Sequence, residues 1–219
     1  MYKNKLDEEL SKLHSDLIRL GSMSEDAINL SIKALLECNI EIANNVIEND
    51  KVVNKLTAVV ESEALKILLR RQPVANDLRV ITGALKIVSN IERIADQAQD
   101  ICSIVLNLSE TDYLGKLSKI STMADISKRM VNLSIDSFVK QDLKLAHQVI
   151  EMDNDVDELF LQIKNNMVKL IIENSDSADI AIYLMMVAKY FEKIGDHAEN
   201  IAEWVVFEHT GARKNIRLL

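Results

Sequence analysis

The chain has 219 residues, a formal net charge of −8, 48% apolar and 27% charged residues, and only 5 glycines and 1 proline. So few turn formers exclude a β sandwich or barrel of this length, and the composition is that of an all-α protein. An acidic chain without a lysine-rich or arginine-rich run is also a poor nucleic-acid binder, because neutralising phosphates supplies most of that affinity.

In chain order, MYKNKLDEEL at 1–10 alternates charge and lacks the apolar run of a secretory leader. A first helix is predicted over 4–38, with Gly21 placed to kink it, and a break at Asn39. A second helix covers 41–70 and is stopped by Pro73, after which Asn76 or Asp77 is placed to cap a third over 77–108. A break over 109–115 precedes helices at 113–140, 142–174 and 178–208, separated at Gln141-Asp142 and at 175–177. The longest uncharged apolar run, IAIYLMMVA at 180–188, is about half of what a membrane helix needs. Cys38 and Cys102 stand in no CxxC or zinc-ligand spacing and read as packed thiols of a reducing compartment. These features predict a cytoplasmic chain without direct membrane insertion.

The chain is written twice. IERIADQAQDI at 91–101 recurs as FEKIGDHAENI at 191–201, an offset of 100, with Glu92/Glu192, Ile94/Ile194, Asp96/Asp196, Ala98/Ala198 and Ile101/Ile201 identical. Upstream the offset is 103: NLSI at 29–32 recurs at 132–135, and VIE at 46–48 recurs at 149–151. The three lost residues fall where RRQPVAND at 70–77 faces the shorter ENSDSAD at 173–179. A repeat of about 100 residues is too long for a solenoid unit. The predicted fold is two tandem three-helix bundles: residues 1–108, residues 113–210, and a tail at 211–219.

The third helix of each repeat carries a heptad seam without a miss. It runs Val80, Ala84, Ile87, Ile91, Ile94, Ala98, Ile101, Val105, and again Ile180, Leu184, Val187, Phe191, Ile194, Ala198, Ile201, Val205. Relative to it, Glu92, Asp96 and Asp100 fall at b, f and c, and Glu192, Asp196, Glu199 and Glu203 at b, f, b and f. These addresses predict an acidic stripe on the exterior of each bundle. Carboxylates one turn apart repel by roughly 0.2–0.5 kcal/mol per pair, a repulsion that a cation relieves; hard oxygen donors suit Mg, Ca, Mn or iron. The plainer alternative is a solvated face, with Arg93–Asp96 and Lys193–Asp196 paired at i,i+3.

The middle helices place an acid in the seam itself, Asp50 in the first repeat and Asp153 in the second. An unpartnered charge there is costly, which leaves local splaying, register specification, a cap or a metal as alternatives. Asp157, four residues after Asp153, joins the candidates, although its counterpart is Asn54. Nucleophile elbows and phosphate-binding glycine loops are absent. No residue three before a histidine is Glu, so the Glu-x-x-His signature of di-iron bundles is absent too.

QPVANDLR (72–79), KIVSNIERIADQAQDI (86–101), KYFEKIGDHAENIAEWV (189–205) and the twinned VIE-x-D-x-x-V-x-x-L elements (46–56 and 149–159) together resemble the PhoU family of phosphate-signalling proteins. The resemblance spans nearly the whole chain. It implies two three-helix bundles, a homodimer, and a non-enzymatic cytoplasmic adaptor. The implied partners are the ATPase subunits of the high-affinity phosphate ABC transporter and the phosphate sensor histidine kinase, with uptake and signalling restrained when phosphate is plentiful. It also implies multinuclear iron or zinc, or another cation, at the E-x-x-x-D motifs, with Glu92, Asp96, Glu192 and Asp196 as the transferred ligands. Asp100 stands against Asn200, and the second repeat has no PVANDLR segment. Two other readings compete: a carboxylate-bridged metalloenzyme acting on phosphoesters, and an accessory protein of a different phosphate permease.

Overall fold

The computed structural model describes residues 5–108, 113–213 and 216–217. Residues 1–4, the first part of the predicted break (109–112) and parts of the tail lie outside that range. Six long helices make up the body: α1 (Lys5–Glu37), α2 (Ile40–Arg71), α3 (Ala75–Val105), α4 (Ser118–Lys140), α5 (Leu143–Glu173) and α6 (Ala178–Thr210). Single 3₁₀ turns at Leu114–Lys116 and Ser175–Ser177 precede α4 and α6, and two-residue strands β1 (Ala212–Arg213) and β2 (Ile216–Arg217) pair antiparallel after α6. The fold is all-α, with α1–α3 forming one three-helix bundle and α4–α6 the other.

The first corner of each bundle is built the same way. Cys38 (φ 51°) and Gln141 (φ 53°) take the left-handed conformation, and the next residue caps the adjoining helix. Asn39 accepts from the Ile42 amide at 3.0 Å, and Asp142 from the Lys144 and Leu145 amides at 2.8 and 3.3 Å. Buried serines also recur in register: Ser24 and Ser31 in α1, Ser127 and Ser134 in α4. Each donates to a carbonyl three or four residues back in its own helix, so it satisfies its hydroxyl while presenting a small surface to its neighbours.

The junction between α2 and α3 differs from expectation. Gln72 turns left-handed (φ 47°) ahead of Pro73, and α3 begins at Ala75 with extended Val74 at its N-cap and no side-chain cap. Asn76 and Asp77 therefore sit inside the first turn; Asp77 favours the helix through its dipole instead of capping it. At the next junction α4 starts at Ser118, later than the predicted 113. Tyr113 is instead buried and donates to the Leu35 carbonyl at 2.8 Å, tying the connector to the end of α1.

The two bundles meet through α3 against α6 and α1 against α4. Gly83 abuts Glu208 and Asn90 abuts His197, so α3 and α6 run antiparallel. α1 and α4 do likewise, with His14 stacked on Phe138 at 4.7 Å and Gly21 against Ile135. A Cβ at Gly21 would come within 3.0 Å of Ile135 Cδ1. Gly21 thus permits close approach of the bundles within an unbroken α1, where the sequence suggested a kink. Each third helix packs against both helices of its own bundle and against the other third helix. This enclosure sets the environment of the acidic residues.

Candidate acidic grooves on the third helices

The acidic rows are not on an open exterior. Glu192 is only 9% exposed and Glu203 only 6%, and Glu92, Asp96, Asp100, Asp196 and Glu199 are intermediate. The heptad addresses correctly turned them away from their own seam, but the direction away from the seam is partly covered because the third helices also pack on each other.

In the first repeat, Asp50 of α2 faces Asp96 and Asp100 across the groove. Asp50 Oδ2 accepts from Asn54 at 2.8 Å, whereas its Oδ1 is buried without a hydrogen-bond partner. Burial, then the Asp96 charge, pushes the Asp50 carboxyl above its ordinary value, and burial does the same to Glu92, Asp96 and Asp100. Arg93 lies 3.4 Å from Asp96, the pairing the i,i+3 spacing allows.

In the second repeat, Asp153 of α5 faces Glu199, Asp196, Asp157 and Glu192, and burial together with those charges pushes its carboxyl up to about 7. Asp157 itself is exposed. Two ammonium groups enter this row. Lys189 Nζ lies 2.6 Å from Glu192 and sits over the Phe160 ring, and Lys193 bridges Glu192 and Asp196. The structure thus brings Asp50 and Asp153 to the same grooves as the E-x-x-x-D rows, where the surrounding charges that raise their carboxyls are acidic.

Among the described residues no group of three or more His, Cys, Asp or Glu side chains is placed to hold a metal ion. The expectation of iron or zinc clusters, or of Mg, Mn or Ca, at the E-x-x-x-D motifs is corrected accordingly. Side chains one turn apart line a row instead of converging on a point, and lysine or arginine already provides cationic charge beside Glu192, Asp196 and Asp96.

Several residues of this region carry little sequence signal. His197 Nδ1 pairs with Asn90 Oδ1 at 3.0 Å across α3 and α6. Glu208, 5% exposed, presses Oε1 against Gly83, where a Cβ would lie only 2.4 Å away. Its Oε1 has no hydrogen-bond partner, and burial raises its carboxyl to about 8 despite a bond with Gln141. Position 208 is the next step of the 4,3 seam after Val205, so a Glu on a core position was the available clue.

Comparison with known proteins agrees with this architecture. The family model for the PhoU domain matches residues 17–105 and 120–205. The phosphate-specific transport system accessory protein PhoU homolog of Aquifex aeolicus is 36% identical over 189 residues, 86% of each chain. The homolog of the same description from Clostridium acetobutylicum is 30% identical over 217 residues, 99% of each chain. The crystal structure of PhoU from Pseudomonas aeruginosa superposes with a TM-score of 0.89 at 29% identity, covering 95% of this chain and 100% of that one.

Proposed function

This chain belongs to the PhoU family, and from that premise we propose that it is an adaptor linking the high-affinity phosphate ABC transporter, through its ATPase, to the phosphate sensor histidine kinase. Family membership itself makes it a regulatory protein of phosphate homeostasis and not a catalyst. The proposal adds the direction and the contacts: in the cytoplasm, it restrains uptake and keeps the kinase quiet when phosphate is plentiful. No described helix is long and apolar enough to cross a membrane, so a membrane-side role runs through partners.

One observation carries the choice of contact surface. The third helices are enclosed on most sides, yet the Asp96 and Asp196 side chains keep 28% and 33% exposure along their grooves. Charged rows that stay wet at a crevice suit the basic surface of another protein, for electrostatic complementarity steers encounter and fixes register. On this reading Glu92, Asp96, Asp100 and Asp50 serve one contact, and Glu192, Asp196, Glu199, Asp153 and Asp157 serve the other.

The test is affinity purification of the tagged chain from phosphate-replete cells, comparing wild type with Glu92→Lys/Asp96→Lys. Wild type is expected to retain the transporter ATPase and the kinase, and the reversal variant to lose at least one of them by about tenfold with starvation genes switched on. Equal recovery from both proteins would remove the acidic row from the contact. Recovery of an unrelated phosphate permease in place of the ABC transporter would assign the chain to that system.

A further inference from the structure

We propose that Asn200, Glu203 and Trp204 form a binding site for an arginine side chain, filled here by the chain's own Arg213 and available to an arginine of a partner protein when the C-terminal hairpin lifts. Arg213 Nε donates to Glu203 Oε2 at 2.9 Å, and its Nη2 lies 2.8 Å from the same oxygen. Nη2 also donates to Asn200 Oδ1, and the guanidinium carbon sits 4.7 Å from the centroid of the Trp204 ring. A negative charge, two acceptor oxygens and an aromatic face are thus presented together to the planar guanidinium donors. That combination selects guanidinium over ammonium, because lysine lacks both the fork and the flat face. With Arg213 seated, Glu203 is 6% exposed and Trp204 9%, and both side chains are carried by α6.

The ligand is delivered by a slender element. Gly211 (φ 71°) ends α6 and reverses the chain, the Ala212 amide donates to Thr210 Oγ1 at 3.1 Å, and β1 pairs with β2 over only two residues. A two-stranded hairpin of that length has little stability of its own. Among the described residues Arg213 joins that hairpin to Glu203, Asn200 and Trp204, and an arginine supplied in trans competes for the same three side chains. Beside the guanidinium lies a cavity of about 430 Å³ lined by His147, Ile150, Val206 and Thr210 as well as Glu203, which leaves room for residues flanking an incoming arginine. The first repeat has Ser103 and Ile104 where the second has Glu203 and Trp204, so the site belongs to one repeat only.

The inference relies on the adaptor reading only for the existence of a partner; the cis contact is independent of it. Trp204 is the sole tryptophan, so its fluorescence reports on the site directly. The full-length Arg213→Ala variant is titrated with the peptide GARKNIRLL, the sequence of residues 211–219, and with the same peptide carrying alanine at its third position. We expect a changed Trp204 emission in the variant, reversed by the arginine peptide. The peptide should bind the variant at least tenfold more tightly than wild type, and the alanine peptide should not bind. Arg213→Lys should behave like Arg213→Ala. Absence of peptide binding, or equal binding of both peptides, overturns the proposal. If the variants fail to fold, wild type decides: excess arginine peptide should speed amide exchange at Ala212, Arg213, Ile216 and Arg217 and the alanine peptide should not, and equal exchange overturns the proposal. Peptide binding in a protein that recovers neither transporter nor kinase would keep the site and discard the adaptor.

Discussion

In the first repeat Asp50 takes a hydrogen bond from Asn54; at the corresponding place in the second stand Asp153 and Asp157, two carboxylates one turn apart. The divergence continues along the grooves. Gln99 corresponds to Glu199, Ser103 to Glu203, and Asp100 to Asn200. In the second repeat Lys189 and Lys193 pair with Glu192 and Asp196, acids common to both repeats, and Arg213 pairs with the added Glu203; in the first, Arg93 pairs with Asp96. Duplication therefore preserved the corners, caps and seams while the charge pattern drifted toward more internal pairing in the second repeat. A shared backbone does not make the two grooves equivalent sites.

The contrast breaks most strongly at the contact between the repeats. Glu208 keeps its proton to about pH 8 in the folded chain, whereas an unfolded Glu releases it near 4.5. The folded state thus holds the extra proton across that window, and stability falls as pH rises through it. His14 lines the same cavity with a value lowered by burial, and burial raises Asp153 and Cys102, so the Glu208 contribution is read as wild type against Glu208→Gln at each pH. Glu208→Gln should flatten the loss and stabilise the chain at pH 9 by roughly a few kcal/mol, read as denaturant midpoint against pH; an unchanged slope would refute the assignment.

A smaller effect separates the grooves. Asp153→Asn should raise stability at pH 8 by about 1 kcal/mol after discounting for solvent screening. Asp50→Asn, whose carboxyl already has Asn54, should gain less. Equal gains would mean that the extra carboxylates of the second repeat are fully screened. Smallest is Gly195→Ala. Its Cβ would meet Val156 and Asp153 at 3.4 and 3.5 Å, ordinary contact distances, and Ala95 already occupies the matching place. A gain of about 0.5 kcal/mol from helix propensity is expected, and a loss beyond about 1 kcal/mol would show that the second groove is packed more tightly than the first.

Six helices, their duplication and the break at Pro73 were legible because heptad periodicity and helix stops are local signals. Asn39 and Asp142 stand at the predicted breaks and cap α2 and α5. The α3 start was misplaced because Asn76 and Asp77 look like caps, while the chain instead begins its helix from extended Val74. The larger miss concerned the acids. A heptad assigns one buried face, and α3 and α6 have a second, created by antiparallel contact between repeats. Gly83 and Asn90, one heptad apart, and His197 make that contact without apolar side chains, so a hydropathy pattern passes over them, and the acids beside it read as exterior for the same reason.

That antiparallel contact has a consequence for counting. Two equivalent helices crossing head to tail are related by a local two-fold axis, so a single chain presents, in covalent form, the symmetry that two separate subunits would otherwise supply. A partner with a true two-fold axis can meet both halves with one copy of this chain. Because the halves differ in charge, such a complex would hold two identical partner subunits in unlike environments.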